Sequence, residues 1–441
     1  MFNDVVDEYL VNVEDIYAQT GVGEWALPPA VAIAFRKYLG DEQRLDMLRH
    51  MYRLSEDTRF FKLVATTENH IRVIGRPTSI EIDSNAGVTA LKFRSGLRAL
   101  ISTKQLLKNG DYDSVLLDLD DFVFVECQKR QSVWWIREFR PLRGHFDYES
   151  AQKILNETKF GAPELLLIGF GIKPDKESLR MYMPRILALF RGYDNVPIYC
   201  FQLTPHETGK TEFGTRLLTL LDYEYLSEPP TLPRIVVHGK TGEMGFVFTR
   251  KGVVFDEFDK WYQFPQRVQT ILSTINTGME QGIWTRGVSD AGGIAPQIRR
   301  YINMLFFGNL LEDVAVEVDP SLPPRIRVAL MFNKLLGINT EQFFSRIPVI
   351  DCTETKYYAY DHVTYNVLPD SILRALVQLI QRNVKKDGET KLKGRLGRHS
   401  LRLQSVFKAM NIDIPPNVVD DLVSTKQEWD AVTDYVGGRK T

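Results

Sequence analysis

The chain has only three cysteines in 441 residues, Cys127, Cys200 and Cys352, each set among strand-like or apolar neighbours. That scatter excludes a disulfide framework and a C-x-x-C metal or redox site, and it reads as reduced, buried thiols in a cytoplasmic protein. Histidine is also sparse: the seven residues are dispersed and no H-E-x-x-H occurs, so no zinc-type ligand set is expected. No run approaches the ~18 apolar residues of a membrane-spanning helix. The first ten residues, MFNDVVDEYL, are acidic where a signal peptide would be basic, so no membrane partner is expected. A charge of one sign is lacking as well. With 55 Lys+Arg against 56 Asp+Glu, a nucleic-acid partner would have to be held by local patches rather than by net charge. No internal repeat or low-complexity tract is evident. What remains is an ordinary globular composition, 44% apolar and 25% charged, long enough for two to four domains.

The stretch 200–221, CFQLTPHETGKTEFGTRLLTLL, is a short apolar strand, a polar loop ending Gly209-Lys210-Thr211, and an apolar-periodic helix. A phosphate-binding loop needs that order. Backbone N–H groups over 207–211, Thr208 and Gly209 among them, would cradle the phosphates, Lys210 would reach the β/γ oxygens, and Thr211 would offer its hydroxyl to Mg²⁺ at the positive end of the helix. One element of G-x-x-x-x-G-K-[ST] is missing, because Thr204 stands where the first glycine is expected. A bare T-G-K-T also fits an ordinary strand-turn-helix. Its conjunction with two apolar runs further along the chain decides the matter. The run Gly252-Val253-Val254-Phe255-Asp256-Glu257 is an apolar strand ending in two carboxylates, the first placed to hold the Mg²⁺ water shell and the second to deprotonate the attacking water. A third such run ends in Asn309, a polar side chain for the same water. A nucleotide-binding core with ATP and Mg²⁺ as cofactors is the expectation.

Around this core the chain divides by periodicity. Residues 1–65 show helical spacing and form an N-terminal helical segment. Over 66–145 the period changes to two, with five or six short strands between Gly and Asn turns, which suggests a small barrel-like β domain, OB-like among the options. This domain is a DNA-binding candidate. Its acidic cluster Asp111, Asp113, Asp118, Asp120 and Asp121 has no His or Glu at ligand spacing and reads as solvated carboxylates. Residues 146–197 read as a helical connector, 198–350 as the α/β core and 351–441 as a helical lid. Gly239-Lys240-Thr241 is a second G-K-T, but Gly242 and Gly245 break the helix it would need, so 236–250 reads as a hairpin. The Gly-rich 282–293, with Trp284 and Arg286, reads as a second, inserted hairpin. Residues 381–408 hold nine Lys and Arg against two Asp and Glu, the strongest basic segment of the chain. Lys385, Lys386, Lys391 and Lys393 there, and Arg286 in the hairpin, are the DNA-contact candidates, against the alternative of a solvated helix face.

With these residues in view, the order of T-G-K-T, D-E strand, M-E-Q helix, inserted hairpin, G-N strand and Phe343-Phe344-Ser345-Arg346-Ile347-Pro348 resembles the AAA+ ATPases of the MCM-helicase side. More closely, it is similar to the BREX phage-defence Lon-like ATPase family, BrxL. The likeness runs from V-x-x-Y-L over 6–10, through Phe139-Arg140-Pro141-Leu142 and L-T-P-H-E-T-G-K-T, to V-V-F-D-E-F and F-F-G-N. The resemblance implies an α/β P-loop AAA+ core with a helical lid, an ATPase ring, hexameric or doubly so, acting on double-stranded DNA in antiviral defence beside other defence-system proteins. It implies that Glu257 and Asn309 serve the attacking water. Arg346 would enter the neighbouring subunit's site, and Arg398 would contact the phosphates in cis, with Arg402 as the alternate. The family's C-terminal Lon-like peptidase domain, with its Ser-Lys dyad, has no room before Thr441, so an ATPase without protease activity is expected. A different class of function stays open, a nucleotide-dependent assembly or adaptor scaffold with little turnover. Thr204 favours the scaffold slightly and Glu257 favours the motor.

Overall fold

The computed structural model describes residues 2–15, 43–83, 86–105, 122–141, 146–221, 223–236, 245–285, 297–309, 318–319, 321–322, 324–337, 339–351, 357–424 and 435. At its centre stands a five-stranded parallel sheet in the order β14 (Val349–Asp351), β8 (Cys200–Thr204), β13 (Asn303–Asn309), β10 (Gly252–Phe255), β9 (Tyr223–Leu226). These strands are nearly continuous apolar runs because helices cover both faces. Successive side chains alternate between two cores. Val254, Leu305, Phe307 and Cys200 enter one; Val253, Phe255, Phe306 and Phe201 enter the other. The first core is built with α3 (Tyr148–Glu157), α4 (Ala162–Gly169), α5 (Lys176–Leu187), α6 (Lys210–Leu221) and, from the C-terminal region, α9 (Asp370–Arg382), α10 (Gly394–Ala409) and α11 (Pro416–Val423). The second is built with α7 (Pro265–Gln281) and α8 (Pro324–Leu336).

Register places the site. Asn309 pairs with Thr204 and Phe255 with Phe306, so the carboxyl ends of β8, β13 and β10 finish along one edge, where α/β sheets bind ligands.

The N-terminal β domain is a six-stranded sheet in the order β2 (His70–Gly75), β6 (Val123–Arg130), β7 (Val133–Pro141), β5 (Arg98–Ser102), β4 (Val88–Lys92), β3 (Ser79–Asp83). All pairs are antiparallel except β5 with β7. β2 and β3 are the two ends of that order, with no pairing between them among the described residues. Helices α1 (Gln43–Glu56) and α2 (Thr58–Thr67) lie beside it, and Leu54, Phe61, Val73, Leu91 and Trp134 join one core. Cys127 and Cys200 are buried free thiols. Cys352 and the acidic cluster of 111–121 lie outside the described residues.

Two expectations change. The opening segment is not helical throughout: Val5–Tyr9 is a 3₁₀ turn capped by Asp4, and β1 (Val11–Asn12) pairs with β15 (Asn366–Val367). Pairing with a distant strand outweighs a helical spacing of valines that carries no strong helix propensity. Of the hairpin expected over 236–250 only 236 and 245–250 are described, and there Phe246–Thr249 is a single helical turn rather than a strand. Phe246 and Val247 are buried in the second core, and Gly245 opens their turn with extended backbone. Gly239-Lys240-Thr241 lies outside the described residues. An inserted pair of strands is present, β11 (Ile283–Thr285) with β12 (Gln297–Arg299), the second lying beyond the expected 282–293; Arg286 is outside the described residues.

Candidate functional site

Thr204 ends β8 in extended backbone and α6 starts at Lys210, so the loop occupies 205–209. The absent glycine therefore carries no conformational penalty at Thr204. The left-handed positions are Glu207, at φ 63°, and Gly209, at φ 72°, so the side chain held in an unfavourable conformation is Glu207. At Gly209 a Cβ would stand 2.3 Å from the Tyr182 hydroxyl and 2.8 Å from the Ala359 Cβ, and only glycine fits. Thr204 supplies something instead. Its Oγ1 lies 2.8 Å from Thr208 Oγ1, and Lys210 Nζ donates to Thr204 O (3.1 Å), Thr204 Oγ1 (3.0 Å), Pro205 O (2.8 Å) and Thr208 Oγ1 (3.3 Å). The ammonium is folded onto four neutral oxygens of its own loop. Burial above all, and then repulsion from Arg185, push Lys210 down to about 7, with Asp256 and Asp259 opposing.

Forty-five residues beyond Thr211, Asp256 follows β10 at the sheet edge, 3% exposed. Its Oδ2 accepts from Thr211 Oγ1 at 2.8 Å and from the Tyr225 hydroxyl, and its Oδ1 accepts Glu257 N–H at 2.9 Å. A threonine hydroxyl beside a carboxylate is a hard, all-oxygen pair. That suits a Mg²⁺ that keeps most of its waters and takes its remaining ligands from phosphate. Glu257 is left-handed at φ 51°, ψ 34°, and pairs with Lys260. Non-glycine residues held there concentrate at functional sites. The N–H of Asn309 donates to Asp259 Oδ1 at 3.0 Å, which fixes the end of β13. Burial pushes the Asp259 carboxyl up, and the Asn309 N–H opposes it. A cleft of about 390 Å³ collects Thr208, Gly209, Lys210, Thr211, Asp256, Glu257 and Asn309 with His206, Glu212 and Tyr360.

The predicted arginines are elsewhere. Arg346 lies in a separate cleft with Gln269, Asn276 and Gln342, where its Nη2 donates to Glu280 Oε2 at 2.6 Å. Arg395 donates to the other Glu280 oxygen at 2.6 Å and to Ser345 Oγ at 2.7 Å. Burial pushes the Glu280 carboxyl up, but its bonds to the two arginines outweigh this and hold it below the usual carboxylate range. Arg402 forks onto Asp194, with Nε and Nη2 at 2.9 and 2.7 Å from Oδ2, and Arg398 is exposed on α10. Lys385, Lys386, Lys391 and Lys393 are exposed in the link between α9 and α10.

Three residues escaped the sequence reading. Tyr225 reaches Asp256 from the neighbouring strand, and no local pattern marks it. Arg185 and Gln202 form a buried pair behind the loop, with Arg185 Nε donating to Gln202 Oε1 at 2.6 Å. Their signal was present as a lone arginine in the otherwise apolar helix face that ends MPRIL, and a glutamine inside a fully buried strand.

No family model matches the chain. Three viral proteins are similar to it along most of their length. "Uncharacterized protein ORF426" of Acidianus filamentous virus 1 (isolate United States/Yellowstone) is 27% identical over 82% of this chain and 87% of its own. "Uncharacterized protein 440" of Sulfolobus islandicus rod-shaped virus 1 is 26% identical over 86% of each. "Uncharacterized protein ORF425" of Acidianus filamentous virus 2 (isolate Italy/Pozzuoli) is 24% identical over 86% and 89%. Among solved structures, a full-length MCM homolog from Methanopyrus kandleri is similar over 96% of this chain and 99% of that one, at a TM-score of 0.43 and 14% identity.

Proposed function

We propose that the protein is an ATP-hydrolysing AAA+ ring protein acting on double-stranded DNA, as motor or clamp. The observation that carries this reading is the meeting of Lys210, Thr211, Asp256, Glu257 and Asn309 in one cleft at the carboxyl edge of β8, β10 and β13. In it, the loop N–H groups and Lys210 bind the triphosphate, and Lys210 exchanges its four loop oxygens for phosphate oxygens. Thr211, and Asp256 through water, would hold a Mg²⁺, which would supply positive charge to the bound phosphates. Glu257 takes the proton of the attacking water after leaving Lys260, and Asn309 orients that water. Arg346, which lies in a separate cleft from Lys210 and Asp256, serves the neighbouring protomer's site from across a ring interface. DNA is met by the basic link of Lys385, Lys386, Lys391 and Lys393, by Arg286 and by the β domain.

The antiviral setting rests on the sequence resemblance alone, and the viral relatives lend it no support. A second reading, a nucleotide-dependent scaffold with little turnover, is favoured by one observation: Lys210 and Glu257, though they line the cleft, are both bonded to neighbours. Steady-state ATP hydrolysis with and without duplex DNA separates the two. The motor reading expects turnover that DNA raises and that Glu257→Gln removes. ATP-dependent assembly without turnover would replace it with the scaffold.

A further inference from the structure

We propose that Arg185 is a positioning residue of the phosphate site: through two loop carbonyls it sets the direction of the backbone N–H groups that meet an anionic ligand of the polyphosphate class. This rests on the nucleotide reading above. Arg185 projects from α5, outside the strand-loop-helix unit, and is 0% exposed. Its Nη2 donates to Thr208 O at 3.0 Å and its Nη1 to Gly209 O at 3.1 Å, while Nε is held by Gln202. The Tyr182, Phe307 and Phe213 rings surround the guanidinium, with centroids 4.3, 5.3 and 5.8 Å away. Gln202 is itself fixed, donating to Met181 O and to Asp351 Oδ2, both at 2.9 Å.

Packing does not account for this residue. All three acceptors are neutral, and an apolar side chain of similar volume would fill the space without the cost of burying a charge. The geometry supplies the reason. A trans peptide is planar, with its C=O and N–H pointing in opposite directions. Drawing the Thr208 and Gly209 carbonyls back toward α5 therefore turns the Gly209 and Lys210 N–H groups away from it, toward the cleft. The Gly209 carbonyl is also the acceptor for Phe213 N–H at 3.0 Å, so the same oxygen registers the first turn of α6. A rigid fork does this and an ammonium does not, since it offers a point charge without fixed directions. Two cations thus converge on one short loop through neutral acceptors alone, and a polyphosphate would offer both a charged partner. The charged and titratable groups around Lys210 are Arg185 behind it and Asp256 and Asp259 beside it, with Glu257, Glu207, Glu212 and His206 around the cleft.

Calorimetric titration of ATP and of tripolyphosphate into the full chain tests this with Arg185→Met, Arg185→Lys and Lys210→Ala. Arg185→Met should leave the ligand-free thermal midpoint unchanged or higher and weaken both ligands by about tenfold or more. A purely structural role would lower the midpoint and leave the affinity of the folded chain unchanged. Arg185→Lys, which keeps charge without the fork, should show the same affinity loss, and it decides the matter if Arg185→Met does not fold. Wild-type affinity in Arg185→Lys, or in a folded Arg185→Met, overturns the proposal while leaving the nucleotide site standing. If wild type binds neither ligand and Lys210→Ala changes nothing, the nucleotide reading falls and this inference falls with it.

Discussion

Two clefts of the molecule hold their cations in opposite ways. At the loop, Lys210 rests on four uncharged oxygens and its charge is depressed by burial and by Arg185. At the far cleft, Arg346 and Arg395 share the two oxygens of one carboxylate, Glu280, and are electrostatically satisfied. Under the proposed function, the difference separates a binding group from an assembly group. A cation held only by neutral dipoles gains by meeting an anion, because the exchange replaces weak acceptors with charged ones. A cation already in an ion pair gains little unless the anion on offer carries more charge than a carboxylate, as a γ-phosphate with its developing charge does.

The largest expected effect breaks the comparison at Arg346. If this arginine completes a neighbour's site, Arg346→Ala should cost on the order of 10³–10⁵ in turnover, whereas loss of an exposed ion pair is worth about 0–1 kcal/mol of stability. Mixing decides between them. Arg346→Ala and Lys210→Ala subunits, each inactive alone, should regain hydrolysis together, since some interfaces then join an intact loop to an intact finger. Absence of recovery in particles shown to contain both chains would return Arg346 to its pair with Glu280.

Next in size is Glu257→Gln, which should reduce turnover by roughly 10²–10⁴ while ATP binding persists. Equal loss of binding and turnover would place Glu257 in the cradle rather than at the water. The basic link gives a smaller effect. Replacing Lys385, Lys386, Lys391 and Lys393 by Ala should flatten the plot of log K for DNA against log salt by about 0.9 per lost phosphate contact, and an unchanged slope would leave these lysines as solvated charges.

The depressed Lys210 makes the loop cleft pH-dependent. Between about 7, its value in the folded chain, and about 10.4, its value when unfolded, the unfolded chain binds the extra proton. The contribution of Lys210 to stability therefore rises with pH across that window. ATP asks for the charged form, so binding should take up a proton there and weaken as pH rises. Calorimetry in two buffers of different ionisation enthalpy measures that uptake at pH 8, and zero uptake would remove Lys210 from the phosphates.

The legibility of each feature in the chain depends on how local it is. The strand-loop-helix of Lys210, the Asp256 and Glu257 strand end, the Asn309 strand and the paired inserted strands are all written in contiguous residues whose neighbours determine their backbone. Tyr225 and Arg185 meet the site only through sheet order and helix packing, the product of long-range register that no local window contains. The pairing of β1 with β15 joins residues over 350 positions apart, and it escapes a local reading for the same reason.

The loop itself sharpens the lesson. Sequence pattern marks Thr204 as the defect, whereas the backbone puts the strain at Glu207, φ 63°, and gives Thr204 the task of holding Lys210. The two glycine substitutions should therefore have opposite signs. Glu207→Gly removes a left-handed non-glycine residue, a gain of about 1 kcal/mol offset in part by the freedom that glycine adds to the unfolded chain. An upward shift of the ligand-free thermal midpoint by roughly 1–2 °C is expected. Thr204→Gly removes a hydroxyl acceptor from a buried ammonium and adds chain entropy in an extended strand, so it should lower the midpoint by a similar or larger amount. If Thr204→Gly instead stabilises the chain and tightens ATP while Glu207→Gly does neither, the turn is strained at the position the pattern names, and the backbone assignment of the loop is wrong.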